Sequence, residues 1–188
     1  MNQFNLSKTR RTALKLGFGA LFLAAGLSAC GETPSLSNQD IYEAEQSLDA
    51  VFYLVRHAEK ELDGEDPALS DAGYARADAL AGVLGDVTFA AIYSTDTRRT
   101  RETAAPSLAA TGLTLKLYDG RALIEFAQSL SEAQGNYLIV GHSNTTPQLA
   151  EALGGEGGDP IAEANEYDRL YVLTRTGGVT ITELRRYP

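Results

Sequence analysis

From residue 50 onward, apolar positions along the chain follow two alternating periods. Short apolar runs at 50–55, 89–93, 113–118, 137–140, 170–174 and 179–184 have the length and the β-branched and aromatic content of strands. Between the first four lie segments with helical spacing. The stretch 69–84 offers Ser70 as its N-cap and stops at Gly85, 97–105 starts a second helix that Pro106 breaks or restarts, 122–133 supplies a third, and 146–153 a fourth ended by Gly154-Gly155. Strands alternating with helices predict a parallel sheet covered on both faces, and the last two runs, split by Gly177-Gly178, predict an antiparallel hairpin completing it. The expected fold is therefore α/β, three layers in the order α/β/α around a mostly parallel central sheet of about six strands. In such sheets ligands bind beyond the carboxyl ends of the strands.

The first 29 residues follow a different pattern. Lys8, Arg10, Arg11 and Lys15 precede an apolar run from Leu16 to Leu27, with no acidic residue among them. A basic start, a greasy middle and small residues at the exit are the marks of an export signal, and the run is shorter than the roughly 20 apolar residues a spanning helix needs. Leu27-Ser28-Ala29-Cys30 resembles a lipobox, which implies lipidation of Cys30, the single cysteine of the chain. The stretch from Thr9 to Lys15 resembles a twin-arginine signal, although Ala13 stands where that pattern prefers Phe. The expectation is a signal peptide at 1–29, a polar tether at 30–47 and a folded domain at 48–188. The protein would be exported and held by its lipid to a bacterial membrane, facing the periplasm or the exterior.

Charge narrows the partners. Four of the 16 basic residues and none of the 25 acidic ones lie in the first 29 positions, which leaves 12 cations against 25 anions, a net −13. A field of that sign repels nucleic acid, so none is expected as a partner, and any anionic ligand needs a local concentration of Arg.

The chain has two histidines, and both directly follow an apolar run. His57 ends VFYLVRH and His142 ends NYLIVGH, so two imidazoles at adjacent strand ends could meet across one pocket. A third strand end opens into Ser94-Thr95-Asp96-Thr97-Arg98-Arg99, where Thr95 or Asp96 can cap the next helix and aim its free N–H groups at the same mouth. Arg56 and Arg99 with both imidazoles would form a cationic hole in an acidic protein, and the planar fork of Arg suits phosphate. Arg98 and Arg101 read as solvated surface charges, and Glu59 with Lys60 as a surface ion pair.

Taken in order, VRHAEK, ALSDAG, STDTRRTRETA and VGHSNT resemble the four signatures of the histidine phosphatase superfamily, also called phosphoglycerate mutase-like, with Ala58 where most members have Gly. The resemblance covers about residue 50 to the C-terminus and implies the phosphoglycerate mutase-like fold. It further implies His57 as a nucleophile that becomes phosphorylated, and Arg56, Arg99 and His142 as the groups holding the phosphoryl oxygens. It calls for no cofactor and no metal. Ser143 and Asn144 are candidates for substrate contact or for capping the helix that follows.

Many members protonate the leaving oxygen with a carboxylate; here Ser143 follows His142, and the candidates are Glu125 and Asp119. Only 43 residues separate Arg99 from His142, which predicts a minimal core with an open site and favours a phosphatase over a mutase. The expected function is a metal-independent phosphomonoesterase acting on a phosphorylated small molecule or a phosphoprotein. The alternatives are a phosphohistidine protein phosphatase and a non-catalytic lipoprotein that binds a phosphorylated ligand.

Overall fold

The computed structural model describes residues 50–188, so the expected export signal, Cys30 and the tether lie outside the described residues. Six strands form one sheet: β1 (Ala50–Arg56), β2 (Phe89–Ser94), β3 (Leu115–Leu117), β4 (Gly135–Gly141), β5 (Arg169–Thr176) and β6 (Val179–Arg186). Four helices accompany them: α1 (Asp71–Val83), α2 (Arg98–Thr111), α3 (Leu123–Ser129) and α4 (Thr145–Ala152). Across the sheet the order is β3-β2-β4-β1-β5-β6. The pairs β1–β4, β2–β4 and β2–β3 are parallel, whereas β1–β5 and β5–β6 are antiparallel. The expected α/β fold is present, with parallel pairing through the centre and an antiparallel hairpin at one edge.

Continuous apolar runs arise because successive side chains serve opposite cores. In β1, Ala50, Phe52 and Leu54 join the cluster built with Ala127 of α3 and Leu149 of α4. Val51, Tyr53 and Val55 face the other cluster, with Leu80 of α1 and Ala104 of α2. Strands β4 and β5 alternate in the same way, Ile139 and Tyr171 on one side, Leu138 and Leu170 on the other. Each fully buried Phe, Leu or Ile contributes about 1.5–3 kcal/mol relative to exposure, so both layers are anchored at the sheet centre.

Three elements depart from the sequence expectation. Strand β3 has three residues, because it pairs only with the segment from Ile92 to Ser94 while Leu113 packs into the core below it. Helix α2 runs through Pro106 to Thr111, since buried Thr103, Ala104 and Ser107 hold it across the one backbone bond that proline removes. Helix α3 stops at Ser129, where the N–H groups of Leu130, Ser131 and Ala133 donate to the carbonyls of Ala127, Gln128 and Leu130 and wind the chain toward β4 with Leu130 buried.

Helix α1 starts at Ser70, whose hydroxyl accepts from the Gly73 N–H at 3.3 Å. A Cβ at Gly73 would lie 2.0 Å from the Glu59 carbonyl oxygen, so the helix rests directly on the backbone just after His57. Gly73→Ala is therefore expected to destabilise the fold by about 2–3 kcal/mol, read as a lower urea midpoint. An unchanged midpoint would show that this contact yields freely.

Candidate active site

The parallel register places Arg56 opposite Gly141, so the next residues of β1 and β4 leave the sheet side by side. The His57 N–H donates to the Gly141 carbonyl at 2.9 Å. The imidazole centroids of His57 and His142 are 5.4 Å apart.

The His57 ring is 4% exposed, and its Nδ1 lies 2.8 Å from the Ala58 carbonyl oxygen. A carbonyl only accepts, so Nδ1 carries the hydrogen and Nε2 keeps a free lone pair. Burial pushes the pKa down to about 3; the Ala58 bond opposes this, and the charges of Arg56, Arg99 and His142 add to it. The ring is thus neutral near pH 7. Ala58 needs no special backbone, since among the described residues only glycines have positive φ. Its N–H donates to Thr103 Oγ1 at 3.0 Å, and that hydroxyl donates to the Arg99 carbonyl at 2.8 Å, tying the His57 turn to α2.

Half-buried His142 sits with Nε2 2.9 Å from Thr95 Oγ1 and Nδ1 3.4 Å from Arg99 Nη2. Burial, followed by Arg99 and Arg56, pushes its pKa down to about 4. The glycine before it is required by packing, because a Cβ at Gly141 would lie 2.8 Å from the Tyr118 hydroxyl.

Arg99 projects from the first turn of α2, while Arg98 pairs with Glu102 at 2.7 Å and Arg101 with Asp96 at the surface. The N-cap position is Thr97, which makes no side-chain cap bond; the Asp66 carboxylate takes the Arg98 N–H instead, at 2.9 and 3.0 Å. Asp66 also stands 3.7 Å from Arg99 Nη1. It offers the helix N-terminus the negative charge that such an end favours.

Buried Arg56 has a second task. Its Nη1 donates to the Glu166 carbonyl at 3.0 Å, its Nη2 to the Glu163 carbonyl at 2.8 Å, and the guanidinium lies 4.0 Å from the Tyr167 ring centroid. Both Nη groups therefore hold backbone beyond α4. The Nε atoms of Arg56 and Arg99 are buried without a partner. Buried unpartnered donors are rare, and cationic ones beside two neutral imidazoles suit a small anion. Glu59 is engaged by Arg76 of α1 through a fork at 2.8–2.9 Å rather than by Lys60. Burial pushes the Glu59 carboxyl up, but Arg76 outweighs it and holds the group below its usual range.

The remaining candidates divide. Asn144 and Asp119 open onto a cavity of about 720 Å³ that His142 also lines. Asp119 is bound there by Arg121 at 3.0 Å, which lowers its pKa. Glu125 lines a neighbouring cavity of about 810 Å³ with Gln148 and Glu151, whose wall includes neither imidazole. Ser143 lines a smaller hollow with Pro147 and Pro160. The structure thus brings His57, His142 and Arg99 together with Arg56 adjoining, and sets Glu125 and Ser143 apart. Among the described residues, no group of three or more His, Cys, Asp or Glu side chains could hold a metal ion. No described helix is long and apolar enough to cross a membrane.

Sequence reasoning missed four residues at this site. Thr95 was considered only as a cap, Thr100 lies in the first turn of α2 inside a quoted signature but was given no role, and Asp66 and Tyr167 carried no periodic or motif signal, because loops bring them in.

The two lowered histidines set a pH dependence. Below about 6.5 the unfolded chain binds protons on both rings, whereas the folded chain binds none until about 4 and about 3. Stability is then fully present above about 6.5 and falls as pH drops, by on the order of 3 kcal/mol at pH 5, where few carboxylates have begun to titrate. Urea midpoints at pH 7.5 and 5 check this, and equal values would contradict it.

The model of the histidine phosphatase superfamily (branch 1) matches residues 52–128, from β1 through α3, including His57 and Arg99. Over that segment the chain is similar to the histidine phosphatase superfamily. His142 lies beyond that match, and solved structures extend the likeness over the rest of the fold. The SixA protein from Agrobacterium tumefaciens is 25% identical, with 73% of this chain and 96% of that one covered at a TM-score of 0.54. A mycobacterial glucosyl-3-phosphoglycerate phosphatase is 15% identical, covering 74% and 98% at 0.57. A phosphoglycerate mutase from Bacillus anthracis is 16% identical, covering 74% and 94% at 0.55. At those last two identities the likeness is one of fold. None of the curated proteins matches the chain.

Proposed function

We propose that this protein is a histidine phosphatase superfamily member, a metal-independent phosphatase that hydrolyses phosphomonoesters through a phosphohistidine on His57. The observation that carries the reading is the Nδ1–H of buried His57 committed to the Ala58 carbonyl, which leaves Nε2 as a neutral nucleophile 5.4 Å, ring to ring, from His142. Nε2 bonds to phosphorus as the ester P–O bond breaks, and the leaving oxygen departs as an oxyanion that takes its proton from water. Water then attacks phosphorus, the N–P bond breaks, and phosphate and the free imidazole are restored. Arg99, Arg56 Nε and His142 hold the charge on the equatorial oxygens, where fixed donors supply most of the acceleration. The test is hydrolysis of a chromogenic phosphate ester in EDTA by the parent protein and by His57→Ala. Loss of parent activity in EDTA, or equal activity in both proteins, overturns the proposal.

A second reading, a phosphohistidine protein phosphatase, is favoured by the carboxylates. Asp66 is engaged by the Arg98 N–H, Asp119 by Arg121, and Glu125 lies off the imidazoles, so none of these three carboxylates is placed to protonate an alkoxide. General acids contribute about 10²–10⁴-fold, and rates should favour aryl over alkyl phosphates by at least about 10²-fold. Similar rates for both would point to a working acid and exclude this second reading.

The location belongs to the proposal as well. Lipidation at Cys30 would hold the domain at 48–188 to a membrane facing the periplasm or exterior through the tether at 30–47. Export follows from the signal-like residues 1–29. Cys30→Ser should release the protein into the soluble fraction, and retention of the variant in membranes would count against the anchor.

A further inference from the structure

The His142 ring is held from its far side by hydroxyls that the reading above does not use. Nε2 lies 2.9 Å from Thr95 Oγ1, and Thr95 Oγ1 donates to Thr100 Oγ1 at 3.1 Å. The Thr100 hydroxyl in turn donates to the Thr95 carbonyl at 2.9 Å or the Thr97 carbonyl at 2.9 Å. Thr97 Oγ1 lies 2.8 Å from Thr100 Oγ1 as well. Thr95 is 5% exposed and Thr100 is fully buried, so water does not complete these bonds.

The direction of the chain follows from its ends. Backbone carbonyls cannot donate, so they claim the Thr100 hydrogen, and Thr100 Oγ1 is left to accept from Thr95. Thr95 has one hydrogen, already given to Thr100, and can only accept from His142. At the opposite ring edge Arg99 has donors alone, so Nδ1 accepts. Both edges of the ring therefore demand the same tautomer, with hydrogen on Nε2 and a lone pair on Nδ1.

We propose that Thr95 and Thr100 are positioning residues whose hydroxyls form a one-way chain, holding the His142 proton on Nε2 and presenting Nδ1, beside Arg99, to the phosphoryl group. This deepens the phosphatase reading and rests on it for the consequence in turnover. An arriving phosphoryl dianion favours protonation of Nδ1, and the Thr95 oxygen already stabilises Nε2–H in the resulting cation. His142 then donates to an equatorial oxygen. When water attacks the phosphoenzyme, the N–P bond breaks and the water protons stay on the departing phosphate, while the His142 ring stays fixed by Thr95. Partners of this kind orient the ring without touching the reacting atoms.

The experiment has a catalytic arm and a spectroscopic arm. Thr95→Val keeps the shape and removes the acceptor; it should lower kcat about 10–100-fold with KM within about twofold, whereas Thr95→Ser keeps kcat within about threefold. Thr100→Val should move kcat in the same direction by less. Long-range proton–nitrogen spectra report the tautomer directly, and a chain with two histidines gives two ring systems, which His57→Gln assigns. The parent should show His142 protonated at Nε2, and Thr95→Val should lose that fixed state. The proposal is overturned by Nδ1–H in the parent, by wild-type kcat in Thr95→Val, or by equal losses in the Val and Ser variants, which would assign Thr95 a packing role. If the parent hydrolyses no phosphate ester, the phosphatase reading fails while the spectrum still decides where the proton lies.

Discussion

His57→Ala is expected to lower kcat for a chromogenic phosphate ester by about 10⁴-fold or more, because removing a nucleophile abolishes the covalent route altogether. His142→Gln should cost less, about 10²–10³-fold, since it removes one donor to the equatorial oxygens and leaves the attacking nitrogen in place. The ordering tests which ring attacks. It rests on a difference between the two rings: His57 has Nδ1 committed to a backbone carbonyl that cannot donate, whereas His142 has both nitrogens engaged, by Thr95 and by Arg99. Only Nε2 of His57 is left without a partner for its lone pair. Rapid quenching in alkali, where a phosphoramidate survives, should trap label on the parent and none on His57→Ala. If His142→Gln were the dead variant and His57→Ala the slowed one, the assignment of nucleophile would reverse.

Much of the site could be read from the apolar runs, for a physical reason. A run such as Val51–Val55 has to be buried on both faces, and in parallel sheets the chain emerges from such strands at a shared edge. That rule sufficed to expect His57, His142 and Arg99 near one another. It allowed the two histidine-bearing strands to be adjacent but did not give the full strand order, in which β2 lies beyond β4 and β1 takes the central place between β4 and β5. Strand order depends on which faces the helices bury, which a linear pattern does not record. Pro106 was misread for a related reason, because local propensity argues for a break while the buried side chains around it argue for continuation. Asp66 shows the limit most plainly. Nothing in Gly64-Glu65-Asp66-Pro67 distinguishes this carboxylate from its neighbours, and only the loop's return over α2 sets it 3.7 Å from Arg99. The Glu125 expectation came from the resemblance, which calls for a carboxylate in that part of the chain, and a resemblance cannot tell which of two adjacent cavities a helix's first turn will face.

Replacing each site arginine with lysine should separate two roles that the sequence expectation joined. Arg56→Lys is expected to lower stability by about 3 kcal/mol, because Nη1 and Nη2 serve carbonyls of Glu166 and Glu163, and each bond to a charged group is worth about 1.5–3 kcal/mol. An ammonium is a point charge on a shorter reach. It can keep one of these contacts but not the spread of the fork, nor the stacking on Tyr167 at 4.0 Å. The loop from Ala162 to Tyr167 would then loosen, and activity would fall with the fold. Arg99→Lys should behave differently. Its contacts are a 3.4 Å bond to His142 and a 3.7 Å pairing with half-exposed Asp66, so stability should change by less than about 1 kcal/mol. Catalysis should nevertheless fall about 10²–10³-fold, as expected on removing a donor aimed at developing charge. Urea midpoints and kcat measured on the same preparations distinguish the cases. Arg56→Lys as stable as the parent would mean that the loop stands without its guanidinium. Arg99→Lys with unaltered kcat would remove that side chain from the phosphoryl site.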